Sequence, residues 1–199
     1  MLKSRASTAL LLSALLGACA SGGVRLDYAP SPGALQFSER SVPLSIGRID
    51  DARDLPPTLI GSIEATDTHP ALALEAQAPV AEIVRAAVLS GLRARGGRDA
   101  PDDARYRISG SVRRLAATAI HRHQASAEIE IVVHDLVSGG ERFRQRYEIS
   151  RVGAPAGEER IPDPQAEAEA LRALTEATMR AVIDRALDDA ALRYAIGQR

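Results

Sequence analysis

Three stretches between residues 106 and 149 alternate apolar and polar side chains, and this two-residue period constrains the fold more than any other feature of the sequence. An apolar residue at every second position buries one face of a strand and leaves the other face in water. The loop VSGGE at residues 137–141 separates the last two stretches, as in a β-hairpin. The pattern therefore predicts an antiparallel sheet with one wet face. The alternating positions are Tyr106, Ile108, Gly110 and Val112, then Ile129, Ile131 and Val133, then Phe143, Tyr147 and Ile149.

Two other segments have the three-to-four-residue period of amphipathic helices. The first follows Pro79 and ends at Gly96-Gly97, since proline suits the first helical turn and glycine suits helix ends. The second opens at Pro164, with Asp163 as its N-cap. The predicted inner faces are Val80, Ile83, Val84, Ala87, Val88 and Leu92 in the first helix, and Leu171, Leu174, Thr178, Val182, Ile183 and Leu187 in the second.

A further strand is predicted where Val42, Leu44 and Ile46 fall on one face. The pair Pro56-Pro57 marks the following stretch, DARDLPPTLIG, as a loop because proline disrupts strand pairing. The predicted order is β-α-β-β-β-α. The simplest α+β architecture for this order is a two-layer domain, with a four-stranded, mainly antiparallel sheet and two helices on one face.

The N-terminus has the pattern of an export signal that ends at the only cysteine of the chain. Its apolar run is about half of the roughly 20 residues that a membrane-spanning helix needs. Leu16-Gly17-Ala18-Cys19 resembles the lipobox of bacterial lipoproteins, in which the cysteine is acylated and the chain is cut before it. The alternative is a stray cysteine in an ordinary signal peptide. We predict a lipoprotein signal peptide over residues 1–18 and a lipid anchor at Cys19.

Glycines and prolines interrupt the next stretch, so we predict an acylated cysteine and flexible tether over residues 19–41. One α+β domain over residues 42–199 is expected to follow. Ala20, in place of an aspartate after the cysteine, favours the outer membrane over the inner membrane. The expected location is the bacterial envelope, on the outer membrane facing the periplasm.

Composition excludes some classes of partner. The formal net charge is −1, so the sequence has no strong excess of cations to bind nucleic acid. Aromatic residues make up 3% of the chain and tryptophan is absent, which argues against a base-stacking surface. We predict no nucleic-acid partner.

No familiar catalytic motif occurs: neither a G-x-S-x-G elbow nor a glycine-rich phosphate loop is present. His121 and His123 could share a strand face as metal ligands, but no third or fourth ligand is near them in the sequence, which favours exposed hairpin histidines. The carboxylates of Asp50 and Asp51 could serve acid–base catalysis, or they could belong to a turn whose charges pair with Arg53. We predict no enzyme, no catalytic residues, no metal and no cofactor.

Two charged segments are candidates for binding a partner. One is the turn with Asp51 and Arg53, and the other is the last strand, where Arg142, Arg144 and Arg146 are expected on the outer face. Such arginines could contact lipid head groups or the acidic groups of a protein. The alternative is a solvated face on which Glu128 and Glu130 pair with them across the strands.

The order of these segments resembles that of the YajG-like bacterial lipoproteins. The resemblance lies in IDDARD after the first strand, LRARGG at the first helix end, ARYRISGSV, the paired stretch ASAEIEIVVHDLVSGGERFRQRYEIS and a final LRYAI. The HRH of residues 121–123 and the arginine-rich last strand depart from it. The resemblance implies an α+β domain on an outer-membrane anchor, and no reaction.

Three functional classes follow from these observations. The first is a non-enzymatic envelope lipoprotein that binds or steadies a protein partner. The second, suggested by a more distant similarity in element order, is a lipid-contacting accessory subunit of an envelope lipid-transport system. The third, a hydrolase or metal enzyme, is disfavoured because the sequence contains no catalytic constellation.

Overall fold

A computed structural model of the chain describes residues 23–37, 43–65, 70–120, 122–155 and 164–198. These residues form an α+β fold with a six-stranded mixed sheet and three helices. The strands are β1 (Leu44–Asp51), β2 (Leu59–Ile63), β3 (Leu72–Glu75), β4 (Tyr106–Ala119), β5 (Arg122–Asp135) and β6 (Glu141–Pro155). The helices are α1 (Val80–Ala94), α2 (Pro164–Leu187) and α3 (Ala190–Ala195).

The three long strands are those that the alternating pattern predicts. β4 pairs antiparallel with β5 from Tyr106 to Ala119, and β5 pairs antiparallel with β6 over most of its length. The turn between β5 and β6 contains Gly139 at φ 73°, a left-handed conformation that glycine adopts without strain. The predicted hairpin is therefore confirmed.

The other half of the sheet differs from the prediction. β1 and β2 both pair parallel with β4, β1 along its first half and β2 near its end, while β3 pairs antiparallel with β2. The sheet order is β3-β2-β4-β5-β6, with β1 beside β4 as well. The predicted four-stranded, mainly antiparallel sheet is thus corrected to six strands of mixed direction.

β2 lies in the stretch predicted as a loop after the two prolines. The apolar pattern of β2 is too short to predict a strand, since only Ile60 and Ile63 are buried. Gly61 lies so close to β4 that a Cβ there would come within 1.8 Å of the carbonyl oxygen of Ala117. The glycine therefore permits close pairing of the two strands, although in the sequence it suggests a turn. β3 buries only Leu74, too few residues to show an alternating pattern.

The core lies between the sheet and the helices. α1 packs against β1 and β4, α2 packs against β4, β5 and β6, and the two helices contact each other. α1 ends just before Gly96 and α2 begins at Pro164, both as predicted, whereas Asp163 lies outside the described residues. A third helix was not predicted: α3 begins after Asp189, whose carboxylate accepts a hydrogen bond from the Ala191 backbone N–H at 2.7 Å.

Residues 23–37 form an N-terminal strap against the helices, although the sequence predicts a flexible tether there. Val24 makes a parallel bridge with Ala76, next to β3. Leu26 and Phe37 are each 8% exposed and belong to the core. The Phe37 ring lies beside Gly97, and the Arg193 guanidinium lies 5.2 Å from its centroid. No local sequence pattern reveals contacts with residues so far along the chain. Within the described ranges, no helix is long and apolar enough to cross a membrane.

Candidate partner-binding surface

Of the cysteine and the two histidines singled out in the sequence, the structure describes His123 alone. Cys19 and His121 lie outside the described residues. His123 is half-buried near the start of β5. Among the described residues, no three His, Cys, Asp or Glu side chains are grouped so that they could hold a metal ion.

Asp51 and Arg53 form an internal clamp at the end of β1. The Arg53 side chain is 2% exposed, and its Nε and Nη2 donate to the two carboxylate oxygens of Asp51, each at 2.8 Å. These hydrogen bonds hold the pKa of Asp51 below its usual value. Arg53 also donates to the carbonyl oxygens of Leu59 at 2.7 Å and Pro57 at 3.0 Å.

The clamp changes the interpretation of this pair. Arg53 was predicted to present an exposed charge to a partner, but it is buried and satisfies carbonyl groups of the loop and of β2. The alternative, a turn in which Asp51 and Arg53 pair with each other, describes the observed geometry. Mutation of Arg53 would therefore disturb the fold before it reported on binding.

On the outer face of the sheet, away from the helices, Glu130 accepts hydrogen bonds from three arginines. Arg144 Nη1 lies 2.7 Å from Oε1, while Arg146 Nε and Arg113 Nη2 lie 3.1 and 3.2 Å from Oε2. The arginine side chains cover Glu130, whose side chain is 9% exposed. Burial raises the pKa of this carboxyl, but the hydrogen bond from Arg146 and the charges of Arg113 and Arg144 outweigh it, so the pKa is lowered.

A fourth arginine on the same face, Arg114, lies beside two glutamates that would otherwise repel each other. Glu128 lies opposite Glu148 in the register of β5 and β6, an arrangement that is destabilising by itself. Arg114 lies between them, with Nη1 2.7 Å from Glu148 Oε1 and Nη2 3.8 Å from Glu128 Oε2. Arg114 therefore offsets the repulsion between the two glutamates.

Arg142 does not share this face, contrary to the prediction. The register of β5 and β6 shifts between Val133 and His134, and this irregularity leaves Arg142 as an extra residue in β6. Its Nη1 donates to the Tyr106 hydroxyl at 2.7 Å and lies 3.6 Å from Asp135 Oδ2. Arg142 therefore lies beside Tyr106 at the edge of the core, because the bulge interrupts the alternation of inward and outward side chains along β6 on which the prediction rests.

The resulting outer-face network has equal numbers of positive and negative side chains. Arg144 and Arg146 are 49% and 58% exposed, so water reaches both. Exposed ion pairs contribute little to stability, and their charges can be exchanged for those of a partner at little cost. The predicted cross-strand pairing is present for Glu130, which pairs with Arg144 and Arg146, whereas Glu128 pairs with Arg114 of β4 instead. The network consists of Arg113, Arg114, Arg144, Arg146, Glu128, Glu130, Glu141 and Glu148.

Among the described residues, the most deeply buried charged cluster is one that the sequence does not predict. The Arg95 side chain is fully buried and donates to Asp184 at 3.0 Å and to Asp188 at 2.8 Å. Asp184 also accepts hydrogen bonds from the Tyr28 hydroxyl and the Ser31 hydroxyl, both at 2.6 Å. We call these five residues the strap cluster. The sequence contains one weak indication that Asp184 is buried: it directly follows Val182 and Ile183, which lie on the inner face of α2.

The strap cluster shifts the titration of its members. Burial raises the pKa of Asp184, but hydrogen bonds from Ser31, Tyr28 and Arg95 outweigh it and lower the pKa. Burial and the hydrogen bond to Asp184 raise the pKa of Tyr28. Since the folded-state pKa of Asp184 lies below the unfolded-state value, its stabilisation is complete above the unfolded-state pKa and is lost as the pH falls through the folded-state pKa.

Comparisons with known proteins bear on the fold. No family model matches this sequence, and no curated protein matches it. Among solved structures, protein XCC0632 from Xanthomonas campestris, of family DUF330, is 14% identical over 82% of this chain and 94% of that chain, with a TM-score of 0.56.

Two further structures overlap less well. PelC from Paraburkholderia phytofirmans, a dodecamer, is 13% identical over 74% of this chain and 90% of its own, with a TM-score of 0.43. A candidate lipoprotein from Caulobacter crescentus is 18% identical over 59% of this chain and 83% of its own, with a TM-score of 0.44. The specific resemblance to YajG-like lipoproteins stays a prediction. The match to XCC0632 is the one that bears on architecture, and this chain shares its fold.

Proposed function

We propose that this chain is a non-enzymatic lipoprotein of the bacterial envelope that binds a protein partner. The lipid anchor is placed at Cys19, the only cysteine, which ends the lipobox-like stretch Leu16-Gly17-Ala18-Cys19. Ala20 after the cysteine supports the outer membrane, with the domain in the periplasm. The acyl chains attached to one cysteine are sufficient for stable anchoring, because each buried CH₂ contributes about 0.8 kcal/mol.

We propose the outer-face network as the surface that contacts the partner. The observation that carries this proposal is the arrangement of half-exposed Arg144 and Arg146 on a sheet face that α1 and α2 do not cover. Their guanidinium groups can bind a partner's carboxylates in two-point contacts while Glu130 keeps its contact with Arg113. Two charged clusters outside this network hold the fold together: Asp51 with Arg53, and Arg95 with Asp184.

The lipid anchor predicts incorporation of labelled palmitate into the wild-type chain. Replacing Cys19 with serine removes the thiol that accepts the diacylglyceryl group, so Cys19→Ser should incorporate no label and should leave the membrane fraction. The measurement is labelling in living cells followed by immunoprecipitation from washed membranes. Equal labelling of wild type and Cys19→Ser would contradict the anchor.

The partner surface predicts that Arg144→Ala combined with Arg146→Ala loses the protein crosslinked to the wild-type domain in intact cells. Because both side chains are about half-exposed, the free energy of unfolding should fall by no more than about 1 kcal/mol for each ion pair lost. The matched control is Arg25→Ala with Arg48→Ala, two exposed and ion-paired arginines away from the outer-face network. If both double variants keep the crosslink, the partner binds elsewhere; if both lose it, the effect is not specific to this face.

A further inference from the structure

We propose that the domain rests on the lipid bilayer with one particular end, the end at which β4 finishes, and that Ile120 and Leu72 enter the headgroup region there. This proposal rests on the lipid anchor proposed at Cys19. It adds the orientation of the folded domain on the membrane, which the anchor alone does not determine.

The direction of the N-terminal strap identifies this end. The Val24 backbone N–H donates to the Glu75 carbonyl at 2.6 Å, and the Val24 carbonyl accepts from the Gln77 N–H at 3.1 Å. The bridge between Val24 and Ala76 is parallel, so the strap runs in the same direction as β3. Gly23 is therefore on the side of Val24 that faces Leu72, the first residue of β3.

Leu72 marks the same end of the whole sheet. It lies opposite Ile63, the last residue of β2, and Ile63 lies opposite Ala119, the last residue of β4. Gly23 also lines one groove with Ile63 and Leu72. From Val24 the strap leads away from this end of the sheet. At its far end the Phe37 N–H donates to the Arg95 carbonyl at 2.7 Å, just beyond the end of α1.

The distance to the anchor is short. Cys19 and Gly23 are four residues apart in the sequence. Even a fully extended chain spans no more than about 3.6 Å per residue, so the two residues are separated by at most about 14 Å. From Val24 onward the strap is bound to the domain, through the bridge to Ala76 and the hydrogen bonds of Tyr28 and Ser31 to Asp184. The domain therefore has little freedom to move away from the membrane or to turn over.

The side chains at this end suit an interfacial position. Ile120, directly after β4, is 55% exposed, and Leu72 is 38% exposed. Single exposed apolar residues are common on proteins in water, but next to a bilayer their transfer from water is favourable, at about 25 cal/mol per Å² of apolar surface. The turn between β5 and β6, with Val137 82% exposed, lies at the opposite end of the sheet. β4 separates the two ends by roughly 40 Å, at about 3.3 Å per residue.

The test uses the absence of tryptophan from the chain, which makes a single introduced tryptophan a clean reporter. Acylated full-length Ile120→Trp and, as the matched control, Val137→Trp are purified from membranes and reconstituted into phosphatidylcholine vesicles with or without brominated acyl chains. We expect a blue-shifted emission for Ile120→Trp, with quenching by the brominated lipid several-fold stronger than for Val137→Trp. Leu72→Trp should behave like Ile120→Trp.

Each result decides between orientations. Quenching that is equal at the two ends, stronger for Val137→Trp, or absent at both overturns the proposed orientation. Flotation of the vesicles separates this failure from that of the anchor. A chain that floats with the vesicles without preferential quenching at residue 120 keeps its anchor and loses only the orientation. A chain that does not float lacks the anchor, and both proposals fall.

Discussion

Replacing Arg95 with methionine is expected to lower the free energy of unfolding by about 3–5 kcal/mol, as is typical when one partner of a buried ion pair is removed. The Arg95 side chain is fully buried, and its loss leaves Asp184 without the cation that neutralises it. Methionine fills much of the same volume, so the effect reports the charge more than a cavity. Chemical denaturation followed by circular dichroism measures it.

The matched control is Arg93→Met, two residues earlier, in the last turn of α1. Arg93 is exposed, and its favourable interaction with the helix C-terminus amounts to about 0.3–1 kcal/mol. A loss at Arg95 as small as that at Arg93 would contradict the description of the strap cluster as a buried network. A second variant, Asp184→Asn, keeps the shape of the acid and should also destabilise, because Arg95 then loses a charged partner.

Truncating Ile131 to alanine is expected to cost about 2–5 kcal/mol of stability, the usual range for removing a large aliphatic side chain from a packed core. Ile131 is 1% exposed in β5 and lies on the face covered by α2. The alternating pattern predicts this orientation, and the structure agrees with it. Denaturant midpoints, with the slope checked for constancy, give the change in free energy.

Ile120→Ala serves as the control because it removes the same atoms from a residue that is 55% exposed. Surface substitutions of this kind usually change stability by no more than about 0.5 kcal/mol. If Ile120→Ala and Ile131→Ala cost the same, the description of Ile131 as a packed core residue is wrong.

The sequence predicts the outer-face residues of β6 wherever the strand alternates regularly, and it fails at the bulge. Arg144 and Arg146 lie on the outer face and pair with Glu130, as strict alternation along β6 requires. Arg142 fails the same rule because a bulge next to it shifts the register by one residue. A bulge depends on how two strands fit together, and nothing in the sequence of β6 alone reveals it.

The parallel strand β2 shows a related limit of prediction from sequence. The pairing of β2 with β4 depends on contact between Gly61 and Ala117, which are far apart in the chain. A five-residue strand next to two prolines has too little pattern to be recognised by its own period. Its stability comes from the neighbouring strand, so only the assembled sheet identifies it.

The sequence by itself determined the features that depend on residues close together in the chain. These are the two-residue period of β4, β5 and β6, the glycine turn between the last two, the periods and ends of α1 and α2, and the lipobox-like stretch that makes Cys19 the predicted anchor. Only the tertiary structure decided which charged side chains are buried and where the N-terminal strap packs. Arg53 and Arg95 look like ordinary surface residues in the sequence, yet both side chains are buried. Carbonyl oxygens of the following loop, of β2 and of Leu115 in β4 surround Arg53, and the distant carboxylates of Asp184 and Asp188 surround Arg95. Burial of a charge requires partners from several elements at once, and those partners come together only when the chain has folded.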